Sequence, residues 1–212
     1  MRDKYDFWLL DLDGTVVDVE VSYIHEIGSE VGDRLGVSFT AHEAERLWYG
    51  FGGTRETVFD EHDLDPETFW DTFHAVEEPE RRAAATHIYS DAATLVTDID
   101  TPVGLVTHCQ EFLTEPILEA LDIADWFDTV VCCDEEIGWK PDPRPLELAM
   151  NDLGVAGNGH AGAMVGDDPR DVGAAHNAGL DAIHVERHDR DRLGGRVDAA
   201  RQVPLLTDLV DA

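Results

Sequence analysis

Positive charge is what this sequence has least of. Lysine occurs twice, at Lys4 and Lys140, and Lys+Arg total 15 against 46 Asp+Glu, a formal net charge of −31. Such a polyanion argues against the phosphate backbone of a nucleic acid as partner and against an anionic membrane surface as platform. Cysteine is scarce too. Cys109, Cys132 and Cys133 are an odd set, which argues against a disulfide framework and predicts free thiols in a reducing cytosol. No apolar run approaches about eighteen residues, so no membrane-spanning helix is expected. The opening stretch MRDKYDFWLLDLDG is only briefly apolar and lacks a small-residue cleavage site. It is therefore not read as a signal peptide, and a cytoplasmic location is expected. Neither an internal repeat nor a low-complexity linker is found.

What is present suffices for a folded domain. The 212 residues (23.5 kDa) are 43% hydrophobic and 8% aromatic, unlike the apolar-poor composition that keeps acidic chains disordered. There is room for one core and a small accessory domain. The acidic excess is spread along the chain rather than held in a tail. A surface with Asp and Glu in place of Lys resembles proteins of salt-accumulating archaea, where counterions screen the repulsion over a few ångströms.

Short apolar runs recur: Phe7–Leu12, Pro102–Thr107, Thr129–Cys133, Ala161–Val165 and Asp181–Val185. They are continuous rather than alternating, as expected of strands buried on both faces. The helical patterns between them predict βαβ units and a parallel sheet. The gap between the first two runs is far longer than one crossover helix needs. Three helical faces are expected there: Val17, Val21, Ile24, Val31 and Leu35; then Ala44, Leu47, Trp48 and Phe51; then Phe69, Phe73 and Val76. The expected architecture is α/β, a Rossmann-like parallel sheet core (residues 1–16 and 86–212) with an inserted α-helical cap (residues 17–85). A polar surface segment is expected over Arg187–Arg201 and a short final helix over Pro204–Val210.

Chemistry concentrates where these strands end, the edge at which parallel α/β sheets bind ligands. The first run ends in Asp11-Leu12-Asp13-Gly14-Thr15. On an extended strand the two carboxylates would point the same way and, at about 4 Å, repel by roughly 4 kcal/mol at an effective dielectric near 20. A hard cation such as Mg²⁺ relieves that repulsion; the alternative is a turn bearing surface aspartates. Gly166-Asp167-Asp168-Pro169-Arg170-Asp171 places Asp168 as an N-cap, leaves Asp167 for a metal and turns Asp171 back one helical turn on. Thr107, His108 and Cys109 end another strand, where a hydroxyl and the following backbone N–H groups can hold a phosphate oxygen. Lys140 sits in a Gly/Pro-framed loop of a chain that has nearly eliminated lysine, suited to offset carboxylates and bind phosphate.

These four pieces, in this order and spacing, resemble the haloacid dehalogenase superfamily, in its phosphatase-type branch with a helical cap, similar to phosphoglycolate phosphatases. The resemblance covers nearly the whole chain. It implies Asp11 as nucleophile and Asp13 as general acid and then base. Thr107, His108 and Lys140 would hold the phosphoryl group, with His108 standing where the family commonly has Asn. The Asp11 carboxylate, the Asp13 main-chain carbonyl and Asp167 would bind Mg²⁺, supported by Asp168 and Asp171. The carboxylate at Asp13 favours phosphate chemistry over carbon–halogen cleavage, which has no leaving oxygen to protonate. In the cap, Arg55 of Gly52-Gly53-Thr54-Arg55 would read an anionic substrate tail; the alternative is a helix start capped by Thr54. The expected partner is a small phosphorylated metabolite, and the expected state a monomer or homodimer. Two readings stay open beside the phosphatase: a phosphomutase of the β-phosphoglucomutase type, and a non-catalytic phosphate- or Mg²⁺-binding module.

Overall fold

A computed structural model describes residues 4–50, 53–157, 159–187 and 201–209. Contacts divide the chain into two units. One holds the described residues of Met1–Asp18, His87–Arg187 and Val197–Ala212; the other is built on Val19–Thr86.

The first unit is a six-stranded sheet of order β5-β4-β1-β6-β7-β8 with every neighbouring pair parallel. Its strands are β1 (Phe7–Leu10), β4 (Val103–Thr107), β5 (Thr129–Cys132), β6 (Gly162–Gly166), β7 (Asp181–Val185) and β8 (Arg201–Val203). Phe7-Trp8-Leu9-Leu10 lies at the centre, with Trp8 opposite Val103 on one side and Ala163 on the other. All four residues are fully buried, which is why this run is continuous rather than alternating. Trp8, Leu10, Leu105, Val165 and Ile183 share one core cluster. The crossovers are helical: α6 (Ser90–Asp98), α7 (Glu111–Ala120), α8 (Arg144–Asp152) and α9 (Pro169–Ala178).

The second unit is helical: α1 (Val21–Leu35), α2 (Ala41–Tyr49), α3 (Thr54–Glu61), α4 (Pro66–His74) and α5 (Pro79–Ala84). Tyr23, Ile24, Ile27, Val31, Leu47, Val58, Phe59 and Phe69 form its core. Local signals place the helix starts. Thr40 accepts from the Glu43 N–H while Glu43 accepts from the Thr40 N–H, a reciprocal cap on α2. Asp65 and Pro66 open α4 in the same spirit.

Several expectations need correction. Val17 does not start a helix; it opens a short strand, β2 (Val17–Val19), which pairs with β3 (Thr86–Ile88). Val21, expected on the buried face, is 47% exposed. Arg201, expected at the end of a surface segment, begins β8, and the final helix is a 3-10 turn over Leu206–Leu209. Phe51, Gly52, residues 188–200 and Val210 lie outside the described residues.

Candidate active site

The strand β1 stops at Leu10, and the Asp11 N–H still donates to the Val165 carbonyl (2.9 Å). Asp11 is thereby fixed at the carboxyl edge, between the ends of β4 and β6, and is 7% exposed. The chain then turns at once. The Leu12 carbonyl accepts from the N–H groups of Val16 (2.9 Å) and Val17 (3.0 Å), and Gly14 has φ of 75°, a left-handed conformation that suits glycine. Asp13 is therefore half-buried beyond the end of β1, in a turning segment rather than on an extended strand as the spacing suggested, and its charge still acts on Asp11.

Lys140, only 3% exposed, reaches the same place from the loop after β5. Its Nζ donates to Asp11 Oδ1 (2.7 Å) and to the Val106 carbonyl (2.9 Å), and lies 2.6 Å from Asp171 Oδ1. Burial works against its charge, but Asp11 and Asp171 outweigh that and raise its pKa above the usual amine value. Oxygen atoms of Asp11, Asp167 and Asp171 all lie within 4.8 Å of one another. Burial pushes Asp11 up to about 7; Lys140 pulls the other way, and Asp171 and Asp13 add to the rise. Asp167 is raised well above the carboxylate range by burial and then by Asp11 and Asp171, and Asp171 is raised by burial against the pull of Lys140.

Two glycines make this crowding possible. A Cβ on Gly14 would sit 2.3 Å from Asp167 Oδ2, and one on Gly166 would sit 2.1 Å from Asp171 Oδ2. Three clustered carboxylates against one ammonium leave an excess of negative charge. The donors are hard oxygens only, the set that suits Mg²⁺ or a similar divalent cation. The residues thus fit the metal that the family resemblance implies.

Thr107 ends β4, is 1% exposed, and accepts from the Cys109 N–H (3.0 Å). His108 beside it packs edge-on against Trp139, with ring centroids 5.5 Å apart. Asp168 caps α9, accepting from the Arg170 N–H (2.8 Å), while Asp171 Oδ2 accepts from the Asp168 N–H (3.0 Å). Arg170 also grips Asp168 with Nε (3.0 Å) and Nη2 (2.6 Å). This forked partner was missed in the sequence, although its position two residues after the cap was a signal. The Val106 carbonyl was missed as well, since a backbone acceptor leaves no trace in residue type.

Arg55 belongs to the helical unit. Gly53, not Thr54, is the N-cap of α3. The Arg55 guanidinium donates from Nε to the Leu47 carbonyl (2.9 Å) and from Nη2 to the Trp48 carbonyl (2.7 Å), near the end of α2. It also stacks over Trp70, 5.6 Å from the ring centroid. These contacts tie the start of α3 to the end of α2.

The chain is similar to known phosphatases. A phosphoglycolate phosphatase of Yersinia pseudotuberculosis is 28% identical over 189 residues, 82% of this chain and 77% of the relative. An N-acetylmuramic acid 6-phosphate phosphatase of Pseudomonas putida is 31% identical over 180 residues, 81% of this chain and 78% of the relative. Among solved structures, a candidate phosphoglycolate phosphatase of Lactobacillus plantarum has a TM-score of 0.78 at 20% identity, covering 98% of this chain and 99% of that one. CbbY of Rhodobacter sphaeroides, in complex with xylulose-(1,5)bisphosphate, has a TM-score of 0.70 at 22% identity, covering 97% and 96%. The family model for haloacid dehalogenase-like hydrolases matches residues 8–185, and the chain belongs to that family.

Proposed function

We propose that the protein is a Mg²⁺-dependent phosphatase that hydrolyses a small phosphomonoester through an aspartyl phosphate on Asp11. The observation that carries this reading is Lys140, buried and bridging Asp11 and Asp171 beside Asp167 at the carboxyl edge of the sheet. Phosphate monoesters are anionic and a carboxylate is a weak nucleophile, so approach requires charge cancellation. Lys140 supplies part of it; Asp11, Asp167 and the Asp13 main-chain carbonyl would hold Mg²⁺, which would supply the rest as a Lewis acid.

In the first step a carboxylate oxygen of Asp11 bonds to phosphorus. The ester P–O bond breaks, its electron pair stays on the leaving oxygen, and that oxygen takes the proton of Asp13. Asp13, now a carboxylate, takes a proton from water. The hydroxide attacks phosphorus, the Asp11–phosphorus bond breaks, and inorganic phosphate leaves with Asp11 regenerated. Thr107 and His108 hold the phosphoryl oxygens, while Asp171 and Asp168 keep Lys140 and the Asp167 turn in place.

The core residues treat every phosphomonoester alike, so substrate choice falls to the helical segment over residues 17–85. Both curated relatives act, by name, on phosphomonoesters that also carry a carboxylate. Phosphoglycolate or a sugar phosphate is the substrate class we propose here, in a salt-rich cytoplasm suited to a charge of −31. A screen over phosphoglycolate, sugar phosphates and nucleotides, with Mg²⁺ in molar KCl, tests the reading. Turnover of at least one phosphomonoester is expected, lost in EDTA and restored by Mg²⁺, with Ca²⁺ a poor substitute. Full activity in excess EDTA would sink the metal assignment, and no turnover anywhere would sink the phosphatase.

A further inference from the structure

The segment that follows Asp13 is held by residues outside the set proposed above for the phosphoryl group and the cation. Arg187, two residues past β7, has a side chain only 5% exposed. Its Nη1 donates to Asp91 Oδ2 (2.8 Å) and its Nη2 to the Thr15 carbonyl (3.0 Å), while its guanidinium lies 3.9 Å from the centroid of the Tyr89 ring. Asp91 is anchored in turn by the Leu206 N–H (2.7 Å). Tyr89 donates its hydroxyl to Asp18 Oδ2 (2.5 Å) and its N–H to the Val16 carbonyl (3.0 Å). One stacked Arg–Tyr pair therefore holds Thr15, Val16 and Asp18. Inside the turn, the Gly14 N–H donates to the Val17 carbonyl (2.8 Å), and Asp13 pairs with Val17. Backbone pairing thus ties Asp13 to the segment that Arg187 and Tyr89 hold.

A buried ion pair is a poor device for stability, since desolvation offsets the attraction. A guanidinium and a tyrosine that reach one turn from two segments far apart in the chain, with Asp91 bracing the guanidinium, are better understood as fixing a position. We infer that Arg187 and Tyr89 are positioning residues for Asp13, holding its carboxyl where it meets the leaving oxygen. This rests on the reading of Asp13 as general acid. An alkoxide leaving group needs the Asp13 proton as the P–O bond breaks, whereas p-nitrophenolate departs without it. A misplacement of about an ångström can cost up to about a hundredfold in a step that depends on alignment.

The test is the ratio of kcat/KM on glycerol 2-phosphate to kcat/KM on p-nitrophenyl phosphate, measured with Mg²⁺ in molar KCl; kcat/KM ends at departure of the leaving oxygen and so excludes the later step in which Asp13 acts as base. A ratio does not depend on how much of a variant is folded. In Arg187→Met it is expected to fall about tenfold or more, with a smaller fall in Arg187→Lys and Tyr89→Phe and little change in KM. An unchanged ratio in the variants that fold overturns the inference. So does failure of all three to fold, which would assign the pair to stability. Asp13→Asn is the control and should lower the ratio further still. If Asp13→Asn leaves it unchanged, the general-acid reading of Asp13 fails instead.

Discussion

Asp11 is held by one hydrogen bond from Lys140 and sits against two other carboxylates, so its charge is tolerated rather than favoured. Asp11→Asn removes the nucleophile and also removes one member of a repelling cluster, while Lys140 keeps Asp171 as partner. Turnover is expected to fall at least about a thousandfold, as for other lost nucleophiles, with Tm unchanged or higher; a sizeable residual rate on p-nitrophenyl phosphate would refute the covalent mechanism. Arg55 separates two roles. Its guanidinium donates to the carbonyls of Leu47 and Trp48, so Arg55→Ala should destabilise the helical unit by about 1–2 kcal/mol. It should change phosphoglycolate and p-nitrophenyl phosphate turnover by the same factor. A KM rise confined to phosphoglycolate would return Arg55 to the substrate.

Among the elements, α2 has an explicit start signal, and its cap is a titratable one. Burial alone would raise Glu43, but hydrogen bonds from the Thr40 hydroxyl and N–H and from His62 hold it down at about 2. A folded pKa below the ordinary 4.5 means that its contribution is present above 4.5 and is lost as pH falls through about 2. Glu43→Gln should cost about 1 kcal/mol at neutral pH, and the difference from wild type should shrink towards acid. Denaturant midpoints across a pH series check this, and a gap that does not change with pH would refute it. Five of the six strands of the sheet, all but β8, were legible because each is a continuous apolar run. The short ones were not. Val17 fits a helical period with Val21 as well as it fits β2, and three residues carry too little pattern to decide. Site residues were legible wherever charge gathers at a strand end. The backbone turn that carries Asp13 was not, because β1 ends at Leu10 and Gly14 takes a left-handed conformation that two flanking carboxylates do not announce.

For the molecule as a whole, the decisive quantity is a charge of −31 on 212 residues. Self-repulsion of that size opposes the compact state when screening is removed. Tm is expected to rise steeply from dilute buffer to molar KCl. A flat dependence would remove salt adaptation as the reason for the composition. The near-elimination of lysine has a practical side. Of the two ε-amines, Lys4 has a side chain 54% exposed and pairs with Asp181 at the surface, whereas Lys140 is shut in with Asp11 and Asp171. An acylating reagent therefore meets one lysine in the folded protein. Acylation of Lys140 requires the nucleophile pocket to come apart, so its labelling rate, with Lys4 as internal standard, reads out how often that happens.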